Sequence, residues 1–286
     1  MSGTNHLELK THTAPEKLLL LLSRKPGSED YEAGGDHWTV GNALGRLGAT
    51  FPNFVETIQG KDVLDFGCGA GYQTLAFARG GARYVAGIDT NVATLQRAIA
   101  LTRTQGLDRS VEFRERLEDN WKARFDVVIS QDSMEHFPDP AAALETMKSA
   151  VRKNGIIMIV FGCPWFSPYG SHMHFFTKVP WVNILFTEKT VMNVRAHFRS
   201  DGAARYHEVE SGLNKMSIGK YEQIIARAGL RVMYSRYHCV KGIDFLGKLP
   251  AIRELFVNEV ASIVAPRHST DVAVSQLSEI RVGSLG

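Results

Sequence analysis

The chain has 286 residues, 44% hydrophobic and 22% charged, a balance expected of a soluble globular protein and unlike that of a disordered or fibrous one. Its net charge of +3 comes from 33 basic and 30 acidic residues scattered along the chain, with no basic run dense enough to argue for nucleic acid. Cys68, Cys163 and Cys239 are an odd number, far apart and without a CxxC pair, which speaks against a disulfide frame and for a reducing compartment.

In chain order, "APEKLLLLLSRK" reads as a helix ended by Pro26-Gly27. The run Leu18 to Leu22 is too short to cross a bilayer and no small-residue cleavage site follows, so a cytoplasmic protein with no membrane span is expected. "WTVGNALGRLGATFPNFVETI" gives a second helical pattern, broken near Pro52. From Lys61 the rhythm becomes strand, helix, strand. Val63–Phe66, Tyr84–Ile88, Val111–Glu115 and Phe125–Ser130 read as strands, with helices over Tyr72–Arg79 and Val92–Thr102 between them. A further helix over Pro140–Val151 is expected to stop at the turn Lys153-Asn154-Gly155, before a fifth strand, Ile156–Phe161. Such alternation calls for a mostly parallel sheet with helices on both faces, and for a ligand outside the carboxyl ends of the central strands.

Residues 163–206 break the rhythm. They are rich in aromatics and contain Pro164, Pro168 and Pro180, and we read them as an inserted cap. Aromatics at that density either pack a core or line an apolar acceptor pocket, with Tyr31, His37 and Trp38 closing the opposite side. "SIGKYEQIIARAGL" then resumes as a helix and "RVMYSRY" as a strand; "LFVNEVASIV", residues 255–264, is placed as an edge strand beside 231–237. The expected organisation is a helical extension or lid over 1–60, a ligand-binding core over 61–162, the cap over 163–206, completion of the sheet over 207–265, and a frayed tail over 266–286.

The most informative stretch is "VLDFGCGAGYQT", Val63 to Thr74. Glycines between a strand and a helix allow a tight turn with positive φ and let a ligand touch the main chain, where the helix start adds partial positive charge. The spacing Gly67-x-Gly69-x-Gly71 differs from the G-x-G-x-x-G of dinucleotide sites, and Asp65 just before it repels a pyrophosphate while suiting an ammonium group. Asp89 ends the next strand, where a carboxylate can accept both ribose hydroxyls. An adenosine-like ribose, a cationic amino-acid-like end and no diphosphate describe S-adenosylmethionine. A dinucleotide oxidoreductase is disfavoured by the glycine spacing.

These residues resemble the class I S-adenosylmethionine-dependent methyltransferases, above all the bacterial small-molecule enzymes of ubiquinone and menaquinone biosynthesis. The likeness covers roughly Asp62 to Gly162, and more loosely "LNKMSIGKYEQIIARAGLRV". It rests on "VLDFGCGAG", Asp89, "FDVVISQDSMEHFPDP" and "VRKNGIIMI". The resemblance implies a Rossmann-like three-layer αβα sandwich with a seven-stranded, mostly parallel sheet whose last strand is antiparallel. It also implies cofactor contacts from Asp65, Gly67, Cys68, Gly69, Gly71, Asp89, Thr90 and Gln131. Leu117 would pack on the adenine, with Glu118 or Asp119 meeting its amino group.

Methyl transfer from a sulfonium is a direct displacement, in which orientation alone supplies about 7–11 kcal/mol. A hydroxyl acceptor also needs a base. The candidates are Glu135 and His136 in "QDSMEH", and Tyr169, His172 and His174 in "SPYGSHMH". Some O-methyltransferases carry Glu-x-x-Glu-His and hold a divalent cation there; Asp132, Glu135 and His136 stand in that pattern, completed by His172 or His174, but no metal is favoured, and His136 as a metal-free base or a structural loop are both preferred readings. The expected function is methyl transfer to a small, largely apolar or aromatic acceptor, oxygen before carbon or nitrogen. A metal-dependent RNA 2′-O-methyltransferase, which the missing basic stripe disfavours, and a non-catalytic adenosylmethionine-binding scaffold are the rivals.

Overall fold

The structure is a computed structural model that describes residues 12–27 and 39–267. Tyr31, His37 and Trp38, and the tail from 268 onward, lie outside the described residues.

Five of the described helices start at a side-chain cap, supplied by Thr13, Asn91, Asp139, Thr187 and Ser217. After α1 (Ala14–Leu21), α2 (Ala43–Thr50) and α3 (Phe54–Ile58), the strand β1 (Asp62–Phe66) runs through the glycine loop into α4 (Tyr72–Arg79). β2 (Tyr84–Ile88) leads to α5 (Val92–Thr104), whose first amides at Ala93 and Thr94 donate to the Asn91 side chain. β3 (Val111–Arg114) and β4 (Phe125–Gln131) follow. α6 (Pro140–Ala150) is opened by Asp139, which accepts from Ala141 and Ala142, and by Pro140 in its first turn. The chain closes through β5 (Val151–Phe161), α7 (Val182–Leu185), α8 (Glu188–Arg195), α9 (Ile218–Arg227), β6 (Leu230–Cys239), α10 (Arg253–Phe256) and β7 (Val257–Pro266).

The seven strands form one sheet in the order β3-β2-β1-β4-β5-β7-β6. The first five are parallel, and β7 runs antiparallel to both β5 and β6. Alternation along the strands divides the core into two layers. Leu64, Phe66 and Val128 face Leu144 of α6 and Tyr221 and Ile225 of α9. Val63, Val127 and Ile129 face Leu47, Phe54, Leu75 and Leu95 of α2, α3, α4 and α5. Helices thus cover both faces, as a parallel sheet requires. A third cluster sits under the cap, where Leu19 of α1 packs with Phe176, Val191, Met192, Val194 and Tyr206.

Two expectations need correction. The strand read over 255–264 is not at the edge: β7 lies between β5 and β6, and β6 is the edge strand. Burial gives the reason. β7 is covered on both faces from Val260 to Ala265, whereas β6 leaves Val232 52% exposed. The Lys153-Asn154-Gly155 stretch is not a turn before the fifth strand, because β5 already starts at Val151. Residues 152–155 bulge out between the pairs Phe125↔Val151 and Val127↔Ile156, and Gly155 closes the bulge so tightly that a Cβ there would lie 2.6 Å from the Asp126 carbonyl oxygen.

Candidate active site

The glycine loop sits at the carboxyl edge of the sheet, held to β2 by the amides of Gly67 and Cys68, which both donate to the Ile88 carbonyl at 2.8 and 2.9 Å. All three glycines have positive φ, +85°, +50° and +79° for Gly67, Gly69 and Gly71. They are not equivalent. A Cβ on Gly67 would meet Ser133 Oγ at 2.5 Å, and one on Gly71 would meet Ala98 and Phe113 below 3 Å. Beside Gly69 there is nothing within 4 Å. The outer glycines therefore serve packing, and the middle one leaves main chain open to a ligand.

Asp89 is the next strand's contribution. Its two carboxylate oxygens accept the amides of Gly69 and Asn91, each at 2.8 Å, so the acid and the loop form one rim. Thr90 beside it is exposed. Asp65 is buried; Thr74 Oγ1 donates to it at 2.6 Å, and burial pushes its pKa up to about 7. The Cys68 side chain turns into the core beside Phe113, and burial, with Asp65 and Asp89 nearby, drives its thiol well above the usual range. Leu117 is half-buried against the core; Glu118 pairs with Arg114 at 3.1 Å, and Asp119 stands in solvent beside Lys122.

One strand further along, Gln131 ends β4, buried, with its Oε1 lacking a hydrogen-bond partner among the described residues. The loop after it is braced from the far side of the chain. Asn214 Nδ2 donates to the carbonyls of Met134 and Phe137 at 2.7 and 2.8 Å, and the Gly212 carbonyl accepts from His136 Nδ1 at 2.7 Å. A carbonyl only accepts, so His136 carries its hydrogen on Nδ1 and presents Nε2 as an acceptor. His172 has the opposite tautomer: its Nε2 accepts the Cys163 amide at 3.3 Å, leaving Nδ1 as the donor. The two rings meet edge-on, 5.4 Å apart. Burial lowers both pKa values, that of His172 to about 3, so both imidazoles are neutral at pH 7.

Glu135 is 2% exposed. Its Oε1 accepts the Gly162 amide at 3.3 Å, its Oε2 is buried with no hydrogen-bond partner among the described residues, and burial plus the nearby Asp132 push its pKa up to about 8. Asp132, with φ +51°, instead turns to Arg46 of α2, which reaches both its oxygens at 2.5 and 3.0 Å and also Glu259 of β7 at 2.9 Å. Tyr169 and His174 expose their side chains to solvent, because the turn between Pro164 and Gly170 buries Ser167 and Pro168 and directs Tyr169 outward.

Residues 58–207, just over half of the chain, match the family described as a methyltransferase domain. The chain belongs to the class I S-adenosylmethionine-dependent methyltransferases. It is 36% identical over 103 residues to a ubiquinone biosynthesis O-methyltransferase of Neisseria meningitidis, a match spanning 35% of this chain and 43% of that one, less than half of the relative's length. It is 28% identical over 228 residues to an uncharacterised methyltransferase of Mycobacteroides abscessus, covering 73% and 78% of the two chains. Among solved structures, an S-adenosylmethionine-dependent methyltransferase of Mesorhizobium loti superposes with a TM-score of 0.51 at 16% identity, covering 81% and 98%, a likeness of fold alone.

In this methyltransferase the sequence-derived candidates separate into two groups. The glycine loop, Asp89 and Gln131 share one rim of the sheet edge, while His136 meets His172 of the 163–206 segment and Glu135 accepts the Gly162 amide just before that segment. Asp132, Glu135 and His136 do not converge as a metal centre, since Asp132 is spent on Arg46; among the described residues no three His, Cys, Asp or Glu side chains could hold a metal ion. Sequence reasoning passed over Arg46, Asn214 and Glu259. Arg46 is 86 residues from Asp132 and 213 from Glu259, so only the folded chain reveals the contact.

Proposed function

We propose that this methyltransferase moves a methyl group from S-adenosylmethionine to an oxygen of a small, largely apolar or aromatic acceptor. The observation that carries this reading is a single sheet edge bearing both the open main chain of Gly69 beside Asp89 and a buried neutral imidazole, His136, that presents an acceptor nitrogen. When bound, the cofactor supplies an electrophilic methyl on a positively charged sulfur.

The chain's own residues then bind and align. Gly69 lets the nucleoside approach the backbone, Gly67 and Gly71 shape the turn that presents it, and Asp89, already accepting two amides, has lone pairs left for ribose hydroxyls. Leu117 packs on the adenine, Glu118 or Asp119 meets its amino group, and Thr90 lies beside the ribose. Gln131 Oε1, buried and unpartnered, suits the ammonium of the methionine end, whose charge Asp65 balances.

On the acceptor side, His136 Nε2 takes the hydroxyl proton as the carbon–oxygen bond forms, and the Gly212 carbonyl steadies the imidazolium through Nδ1–H. Glu135, kept protonated near neutral pH by burial, and His172 Nδ1–H are donors that orient the acceptor oxygen. The cap aromatics mostly pack on each other, as in Phe175 on Phe176 and Trp165 on Tyr206, so they shut out water rather than line a channel. The relatives named for ubiquinone biosynthesis support an oxygen acceptor over the shared segment. A reducing, cytoplasmic setting fits three free cysteines.

The test is a panel of phenolic, amine and carbon-acid acceptors incubated with isotopically labelled cofactor, with products read by mass spectrometry. Methyl ethers are expected, and His136→Asn should lower kcat about 100-fold while cofactor affinity stays within about twofold. Methyl groups found only on nitrogen or carbon, or a His136→Asn variant of full activity, would contradict the reading.

A further inference from the structure

β7 is antiparallel and begins where β5 ends, so the connection from β6 to β7, residues 240–256, lies on the same rim as the candidate site. Its outward face exposes Phe245 (66%), Leu249 (46%) and Leu255 (39%). Trp181 ties this face to the cap: its Nε1 donates to the Leu255 carbonyl at 3.3 Å and its ring meets Phe256 edge-on. α7, which Trp181 opens, adds exposed Ile184 and Leu185.

The charges on these segments are sorted. Each acid is engaged within the chain, with the side chains of Asp244 and Glu188 still 41% and 32% exposed. Asp244 accepts the Cys239 amide at 2.8 Å and meets His238. Glu254 accepts the amides of Ile218 and Gly219 at the start of α9. Glu188 accepts the Tyr206 amide and pairs with Lys215. Lys189, Lys241 and Lys248 are exposed. The outward face therefore combines apolar side chains with three ammonium groups, while each acid on these segments is held by at least one backbone amide.

We propose that residues 181–189 and 240–256 seat this methyltransferase on the surface of an anionic phospholipid bilayer. Aromatic and aliphatic side chains enter the acyl boundary, and ammonium groups stay at the level of the phosphates. Among the described residues no helix is long and apolar enough to cross a membrane, so the contact is interfacial. Seated this way, the rim that holds Glu135 and His136 faces the lipid, from which an apolar acceptor reaches them without crossing water. That last consequence rests on the proposed acceptor class; vesicle binding does not.

Flotation of the full chain with phosphatidylcholine vesicles and with mixed phosphatidylcholine–phosphatidylglycerol vesicles tests the seat independently of turnover. Binding is expected only to the anionic vesicles, weakening with salt. Lys241→Glu with Lys248→Glu should reduce it by on the order of thirtyfold or more, and Phe245→Ser with Leu249→Ser by at least about tenfold, both with cofactor binding intact. Equal binding to neutral vesicles, no flotation of the wild type, or unchanged binding of both double variants would overturn the proposal. So would a dimer that these substitutions dissociate in the absence of vesicle binding.

Discussion

Glu135 shows how one buried carboxyl sets a pH dependence. Burial raises its folded pKa from 4.5 to about 8, so the folded state holds a proton that the unfolded chain has released. Stability therefore falls as pH rises from about 4.5 through about 8, where the fold must accept a buried charge. Glu135→Gln removes that burden. Its melting temperature relative to wild type should climb with pH across this window, gaining at least about 3 °C by the upper end. A pH-independent difference in thermal scans would show that Glu135 is ionised in the fold. His136 and His172 work in the other direction, kept neutral by burial with hydrogens assigned to opposite ring nitrogens by Gly212 and Cys163.

Within the β1–α4 loop, three glycines that look alike in sequence do different work. Gly71→Ala would force a Cβ against Ala98 and Phe113 at φ +79°, and unfolding by urea should show a loss of about 3 kcal/mol. Gly69→Ala meets open space and should cost only about 1 kcal/mol for its left-handed backbone. The same substitution should weaken cofactor binding at least about tenfold by calorimetry, since the new methyl group occupies the ligand's approach. Equal stability losses, or an unaffected affinity for Gly69→Ala, would contradict this division. The loop and α4 were legible because strand, glycine spacing and helix are encoded locally: α4 and β2 fall on the predicted residues. β7 was legible as a strand but not as an interior one. Its neighbours are chosen by which sheet edge remains open, and "NEVASIVA" alone does not carry that information. At Lys153-Asn154-Gly155 the local turn signal was real, but pairing with β4 absorbed it as a bulge.

Across the whole molecule, Arg46 joins α2 to the ends of β4 and β7 through Asp132 and Glu259. With the arginine and Asp132 both about one-third exposed, Arg46→Met should cost about 1–2 kcal/mol, below the 3–5 of a fully buried pair. Denaturant midpoints will check this, and an unchanged midpoint would mean the cluster carries no stability. This contact also marks the limit of sequence reading for the site. The acid was identified as a possible metal ligand, but its arginine partner sits in a helix with no motif to announce it. The histidine pair was foreseen as candidates, but its tautomers depend on carbonyl and amide partners set by tertiary structure.

The central claim is that the glycine loop and Asp89 together hold S-adenosylmethionine. Isothermal titration calorimetry of wild type and Asp89→Ala with S-adenosylmethionine and with NAD tests it most directly. We predict binding of S-adenosylmethionine alone by the wild type and loss of that heat in the variant. Comparable heats for the two nucleotides, or full affinity in Asp89→Ala, would contradict it.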